Sequence, residues 1–296
     1  MTQQITKRSR YILQIKFLLF AASLVPALVT GVLVYPGNIF TIDWLLIITG
    51  LFLAQAGGDY LYYYFTNNHT DTDDSHTKIF AGWRPFFAER FKRKKTPFVV
   101  GLLILHANVF IIGYFSAVIG WKITVFALIG GFIAFFFTFL MRMGLKEVIV
   151  FLTFGPLSMA GAYLALTKEL ALLPVLVSIP LGLLITVVAY LKGAKIKVSS
   201  DGENIVSLKL WLIKGMLIGA FASLAILIAA QLLPIHSILA FAGVIPATVL
   251  YKKIKNNTTA VPVYLSATIQ SILTMIIVGL GIMAGWILQF HFPFFM

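Results

Sequence analysis

The sequence contains no cysteine and few charged residues, and both shortages narrow what the chain can be. Without cysteine there is no disulfide framework, no thiolate nucleophile and no cysteine-based metal site. Charged residues make up only 11% of the chain and hydrophobic residues 60%, which is more apolar surface than a soluble domain can bury. We therefore expect a polytopic membrane protein.

Nine apolar runs are long enough to cross a bilayer, which takes about 20 residues per helix. Backbone groups in lipid must pair within their own segment, so we predict an all-α protein with a single transmembrane domain over residues 1–296. The first run is too long for the core of a secretory signal, and we interpret it as a span. The predicted spans are roughly 11–35, 43–65, 98–119, 123–141, 146–166, 171–191, 210–232, 236–251 and 263–287.

Acidic residues are fewer than basic residues, and the excess of Lys and Arg gives a net charge of +13. Such an excess can indicate nucleic-acid binding, but in a membrane protein it is typical of cytoplasmic loops. With a cytoplasmic N-terminus, every Lys and Arg except Lys122 and Lys168 falls in a cytoplasmic segment. We predict that orientation, with the C-terminus outside and two long cytoplasmic loops at about 66–97 and 192–209.

The end of the second span carries an unusual set of acids. Asp59 lies near the inner end of that span, where a carboxylate costs up to about 2.5–3.5 kcal/mol and is usually paired or functional. Asp71, Asp73 and Asp74 follow in a polar stretch, and oxygen ligands of this kind suit magnesium. The alternative is a solvated acidic loop in which an aspartate caps a helix.

The first long loop then turns basic. Arg84 has the planar fork that suits a diphosphate, whereas the cluster over residues 90–95 is typical of contact with anionic lipid headgroups. The second long loop begins with Lys192, Lys195 and Lys197. These lysines can act as phosphate ligands or as simple anchors at a helix end.

Three segments carry a family resemblance and occur in the family's order. They are "GLKEVIVFLTFGPLSMAGAYL" at 144–164, "SIPLGLLITVVAYL" at 178–191 and "TTAVPVYLSAT" at 258–268. Together they resemble the UbiA superfamily of intramembrane prenyltransferases, nearest its 1,4-dihydroxy-2-naphthoate prenyltransferase branch. The resemblance extends over most of the chain.

The resemblance implies nine helices around a central cavity, capped by cytoplasmic loops. It implies that a polyprenyl diphosphate binds through Mg²⁺ held by two aspartate motifs. The prenyl group would move to an aromatic acceptor, such as a naphthoate-like quinone precursor of menaquinone biosynthesis. The protein would lie among the lipids of a prokaryotic cell membrane, with its active site facing the cytoplasm.

The two aspartate motifs are incomplete in this chain. The first, N-x-x-N-D-Y-x-D-x-x-x-G-x-D, falls on residues 55–68, where Asp59 and Tyr60 match and Gln55 replaces the first asparagine. The second, N-N-x-R-D-x-x-x-D, falls on residues 192–200, where Lys195 replaces the arginine and no aspartate remains. Of the five acids that the two family motifs place here, only Asp59 stands in register.

Carried over residue by residue, the resemblance and the acids nearby give a set of predicted site residues. We expect Asp59 and Lys195 to be catalytic. The predicted substrate-binding residues are Gln55, Tyr60, Tyr63, Arg84, Lys192 and Lys197. The predicted metal ligands are Asp59, Asp71, Asp73, Asp74 and Asp201. The missing acids keep open a non-catalytic protein of this fold that binds or moves an isoprenoid, quinone or lipid, and, less well supported, an unrelated small-solute transporter.

Overall fold

The computed structural model of the chain describes residues 18–37, 41–67, 95–193, 196–198, 204–206, 208–255 and 261–292. Within those residues, eight helices are long and apolar enough to cross a membrane. The predicted class, a polytopic helical membrane protein, is therefore confirmed. The count of nine is not reached, because the described part of the first predicted span is a helix of only 14 residues.

The helices and strands follow one another in chain order with short connections between most of them. They are α1 (Ala21–Val34), α2 (Ile42–Asn67), α3 (Thr96–Ile119), α4 (Trp121–Arg142), α5 (Lys146–Leu152), a π-helical segment (Thr153–Leu157), α6 (Ser158–Thr167), α7 (Leu173–Lys192), β1 (Ile196–Val198), β2 (Asn204–Val206), α8 (Leu210–Ala229), a 3-10 segment (Ile235–Gly243), α9 (Val244–Lys255) and α10 (Val261–His291).

Neighbouring helices run in opposite directions, as polar contacts between their ends show. The Tyr114 hydroxyl near the end of α3 donates to Asp43 Oδ1 at the start of α2, over 2.8 Å. The ammonium of Lys146 at the start of α5 donates to the carbonyl of Ala189 near the end of α7, over 2.6 Å. The start of α5 and the end of α7 therefore lie on the same side of the bundle, and the charge attraction between Asp59 and Lys192 places the C-terminal part of α2 on that side as well.

Small residues allow close helix crossings, as is usual where helices pack in lipid. A Cβ on Gly57 of α2 would stand 2.8 Å from Leu105 Cγ and 3.1 Å from the carbonyl oxygen of Gly101, both on α3. Trp44 of α2 packs directly over Gly31 of α1, and its indole N–H donates to the buried carbonyl of Ala27 over 3.1 Å. These contacts fix α1, α2 and α3 to one another.

The last part of the chain packs around α7 and α10. Gly281 and Gly285, four residues apart on α10, lie against Ala240 and Ser237 of the 3-10 segment so closely that neither has room for a Cβ. The buried residues of that segment, Ser237, Ala240 and Gly243, recur every third residue. A 3-10 helix has three residues per turn, so this spacing places all three on the face that meets α10.

The structure differs from the sequence prediction in two segments. The predicted span 146–166 is divided by the π-helical segment, which contains Pro156 and packs against α7 so closely that a Cβ added at Gly155 would stand 3.2 Å from Gly182 Cα. Proline has no backbone N–H and crowds the preceding turn, so an ordinary α-helical turn is disfavoured there. The predicted loop 192–209 contains a short antiparallel pair, β1 and β2, with Lys197 opposite Ile205, so the fold is not purely α-helical.

Candidate functional site

A cavity of about 770 Å³ lies among the helices of the first two thirds of the chain. Residues of α1 to α7 and the π-helical segment line it, while no residue of α8, α9 or α10 does so. The resemblance implied a cavity surrounded by nine helices. In the described part of the chain the cavity instead belongs to one half of the bundle, and the remaining helices pack behind α7.

The cavity extends along most of the length of two helices. On α2 the lining residues recur every three or four positions from Ile47 to Thr66, and on α5 to α6 they do so from Lys146 to Ala165. At 1.5 Å per residue each stripe spans about 28 Å, which is close to the thickness of the hydrocarbon core, about 30 Å. The cavity is therefore long enough to hold an extended amphiphile across nearly the whole thickness of the membrane.

The cavity wall is mostly apolar and partly aromatic. Tyr62 and Phe137 meet edge to face with ring centroids 6.0 Å apart, and Phe126 and Phe154 add further rings to the lining. On α4, a Cβ added at Gly130 or Gly131 would find no atom within 4 Å. Glycine at both positions keeps that side of the cavity wide.

Three charged side chains line the cavity at one end, which we name the charged end: Asp59 of α2, Lys146 of α5 and Lys192 of α7. Asp59 and Lys192 lie close enough for their opposite charges to attract. Lys146 lies close enough to Lys192 for the two ammonium groups to repel each other. The lining of the charged end therefore contains one carboxylate and two lysine side chains, and Glu147, which is outside the lining, also lies close enough to Lys146 to attract it.

Lys146 was not among the predicted site residues. Its Nζ donates to the Ala189 carbonyl and packs over Gly193, where a Cβ would collide with it. Gly193 therefore leaves space for the ammonium beside Lys192. In the sequence this lysine has the features of an ordinary anchor at the inner end of a span, and only its orientation toward the cavity distinguishes it.

Four of the predicted site residues meet in the cavity: Gln55, Asp59, Tyr63 and Lys192 all line it. Tyr60 is not part of the lining and is only 7% exposed, so a direct contact of Tyr60 with a ligand in the cavity is not supported. Its neighbour Tyr62 lines the cavity instead. The helical repeat explains this difference, because positions 55, 59, 62 and 63 share one face of α2 and position 60 does not.

The structure does not describe the side chains of the other predicted site residues. Lys197 is described by its backbone alone, as part of β1. The predicted site residues that fall outside the described ranges are Asp71, Asp73, Asp74, Arg84, Lys195 and Asp201. Their predicted roles as metal or diphosphate ligands stay predictions.

The described residues do not by themselves fit a magnesium site. No group of three or more His, Cys, Asp or Glu side chains capable of holding a metal occurs among them. Asp59 is the one described acid in the cavity lining, and Lys192 and Lys146 accompany it. Magnesium prefers octahedral oxygen ligands, whereas two ammonium groups beside one carboxylate favour an anion.

Two polar side chains lie near the middle of α3. Asn108 donates from Nδ2 to the Gly50 carbonyl over 3.1 Å, which links α3 to α2. His106 contacts the carbonyl of Leu102, one turn back on its own helix, over 2.8 Å. For His106 the contact given by the structure is therefore within α3.

No family model matches this chain, and no curated protein matches it either. The chemistry of the site accordingly rests on the cavity and its side chains.

Proposed function

We propose that this protein is an intramembrane prenyltransferase that moves a polyprenyl group from its diphosphate to an aromatic, quinone-precursor-like acceptor. The observation that carries the proposal is the combination of a membrane-length apolar cavity with two lysines, Lys146 and Lys192, in its lining at one end. A polyprenyl diphosphate has two parts that complement this cavity, a long apolar chain for the apolar wall and a compact anionic head for the lysines. The cavity volume also falls in the range of small-molecule sites, roughly 300–1,000 Å³.

The charged end supplies what the departure of diphosphate requires. The bond between prenyl C1 and the bridging oxygen breaks, and its electron pair leaves with the diphosphate. Lys146 and Lys192 stabilise the negative charge that develops on that leaving group, and they do so more strongly in an apolar cavity than in water.

The allylic cation is then captured by the acceptor. A pair of π electrons from a ring carbon forms the new carbon–carbon bond to C1, and the proton lost from that carbon passes to the released diphosphate. The apolar and aromatic wall, including Tyr62, Phe137 and Phe154, keeps water from the cation until the acceptor reacts. Asp59 holds Lys192 in position through their charge attraction.

The experiment uses the purified protein in lipid nanodiscs with geranylgeranyl diphosphate and 1,4-dihydroxy-2-naphthoate, and then with other chain lengths and phenolic acids. Released diphosphate and prenylated product are both measured. We expect Lys192→Met to lower the rate by about 100-fold, the effect of removing one stabilising charge or donor from a transition state. Lys122→Met, which removes a lysine outside the cavity lining, should leave the rate unchanged.

Parallel reactions in magnesium and in EDTA assign the source of the positive charge. Activity that persists in EDTA would assign it to Lys146 and Lys192. Activity that requires magnesium would assign metal ligands to acids outside the described residues. If the wild type releases no diphosphate with any chain length or acceptor, the prenyltransferase proposal is wrong.

The second candidate function is binding or movement of an anionic isoprenoid or lipid without chemistry. The single carboxylate in the described cavity lining favours it. Under this function, geranylgeranyl diphosphate would bind in EDTA and Lys192→Met would weaken that binding, while no product would form. Binding that disappears in EDTA would contradict it.

A further inference from the structure

Two polar side chains in the cavity wall present atoms with no hydrogen-bond partner. Gln55 Oε1 on α2 and Thr153 Oγ1 in the π-helical segment are both buried and unpartnered in the described structure. Both residues line the cavity. A buried polar atom without a partner costs about 1–3 kcal/mol, so a ligand group that reached either atom through a small side-chain movement would be bound favourably.

The orientation of the Gln55 amide is fixed by its other end. Its Nε2 donates to the carbonyl of Leu19 over 3.0 Å, and only the amide nitrogen can donate to a carbonyl. The oxygen therefore remains as an acceptor of hydrogen bonds. A partner for it has to carry an O–H or N–H group.

Thr153 differs from most of the helical threonines that the structure describes. A threonine within a helix usually donates its hydroxyl to the carbonyl four residues earlier. Six threonines here do so over 2.7–2.9 Å: Thr30, Thr49, Thr167, Thr186, Thr268 and Thr274. Thr153 does not, and it stands at the start of the π-helical segment, a kind of irregularity that is frequent at functional sites.

The two groups lie at similar depth in the cavity. Gln55 is four residues from Asp59, or about 6 Å along α2, and Thr153 is seven residues from Lys146, or about 10 Å along α5. Since α2 and α5 run in opposite directions, both groups lie away from the charged end, toward the opposite surface. A ring that receives a prenyl group has to lie beside the carbon that bears the diphosphate, which is at this depth.

We infer that Gln55 and Thr153 form a subsite that recognises hydroxyl groups on an aromatic ring. A ring hydroxyl donates to Gln55 Oε1 or to Thr153 Oγ1, both of which can accept a hydrogen bond. The inference names the specificity determinants of the acceptor in the proposed transferase, and it rests on that function for its biological role. The binding itself requires no transfer reaction.

The test compares 1-naphthol with 1-methoxynaphthalene, its methyl ether, which has the same ring but no O–H. Binding is measured by equilibrium dialysis against the protein in nanodiscs, with no diphosphate present. We expect the wild type to bind the naphthol about 10-fold more tightly, the effect of one to two hydrogen bonds. Gln55→Met and Thr153→Val should each reduce that preference to about 3-fold or less, with the affinity for the ether unchanged.

Two matched variants separate the subsite from general damage to the fold. Thr138→Val removes another buried, unpartnered hydroxyl, but Thr138 does not line the cavity, so the preference should remain. Thr153→Ser retains the hydroxyl and should keep the preference as well. The unchanged affinity for the ether shows that each variant is folded.

The inference is overturned if the wild type binds neither compound, binds both equally, or keeps its preference in Gln55→Met and Thr153→Val. A preference for the naphthol in a protein that transfers no prenyl group would support the subsite and contradict the proposed function. Prenyl transfer without such a preference would support the proposed function and contradict the subsite.

Discussion

Two helices that line the cavity, α3 and α4, are packed much more loosely than α7 and α10, around which the last part of the chain packs. In an 18-residue apolar window of each helix, 6% of the residues are buried in α4 and 17% in α3, compared with 61% in α7 and 50% in α10, while α2 and α8 lie between them at 28% each. Lipid is as apolar as a leucine side chain, so helices in a membrane are held by close packing. α7, α10 and the helices packed against them therefore act as the scaffold, and α3 and α4 leave room for a ligand.

The largest expected difference comes from the same truncation in each half. Leu224 of α8 is fully buried in the scaffold, and Leu224→Ala should lower the free energy of unfolding by about 3 kcal/mol, because it leaves a void among packed side chains. Leu157 borders the cavity, and Leu157→Ala only enlarges an existing space, so a loss of about 1 kcal/mol is expected. Unfolding in SDS–detergent mixtures measures both, and equal losses would contradict the comparison.

The second largest effect is expected from overpacking, in which a substitution adds a methyl group to a glycine instead of removing side-chain atoms. Gly281→Ala forces α10 away from Ala240 of the 3-10 segment and should cost about 2 kcal/mol. Gly131→Ala places its methyl group where no atom lies within 4 Å, and alanine favours the helix, so a gain of about 0.5 kcal/mol is expected. Thermal denaturation in one detergent ranks the two variants, and a stable Gly281→Ala protein would contradict the scaffold assignment.

The smallest effect concerns the charged end. Asp59→Asn and Lys192→Met should each destabilise the protein, and their combination should cost about 1 kcal/mol less than the sum, because the two charges attract each other. The exposed hydrogen bond from Tyr114 to Asp43 is the matched control, and a cycle of Tyr114→Phe with Asp43→Asn should give a coupling near zero. Equal couplings in the two cycles would mean that the charged end contributes no special interaction.

Hydropathy and charge were sufficient to predict the class and most of the helices, since length and apolarity decide what crosses a bilayer. The face of α2 that lines the cavity could also be predicted from the sequence, because Gln55, Asp59 and Tyr63 recur at helical spacing. Other features depend on contacts between distant segments. The three-residue repeat of Ser237, Ala240 and Gly243 follows from the glycines of α10, and the role of Lys146 depends on the direction of its side chain into a cavity that other helices form.

The connection between α3 and α4 has a consequence for how the protein is made. Gly120 alone separates the two helices, and its φ of 96° is a conformation that residues with side chains rarely adopt. With one residue between them, neither span can be delivered to the bilayer while the other waits in water. We therefore expect the two to enter the membrane as a hairpin, and a bulkier residue at position 120 to lower the fraction of chains in which both spans insert.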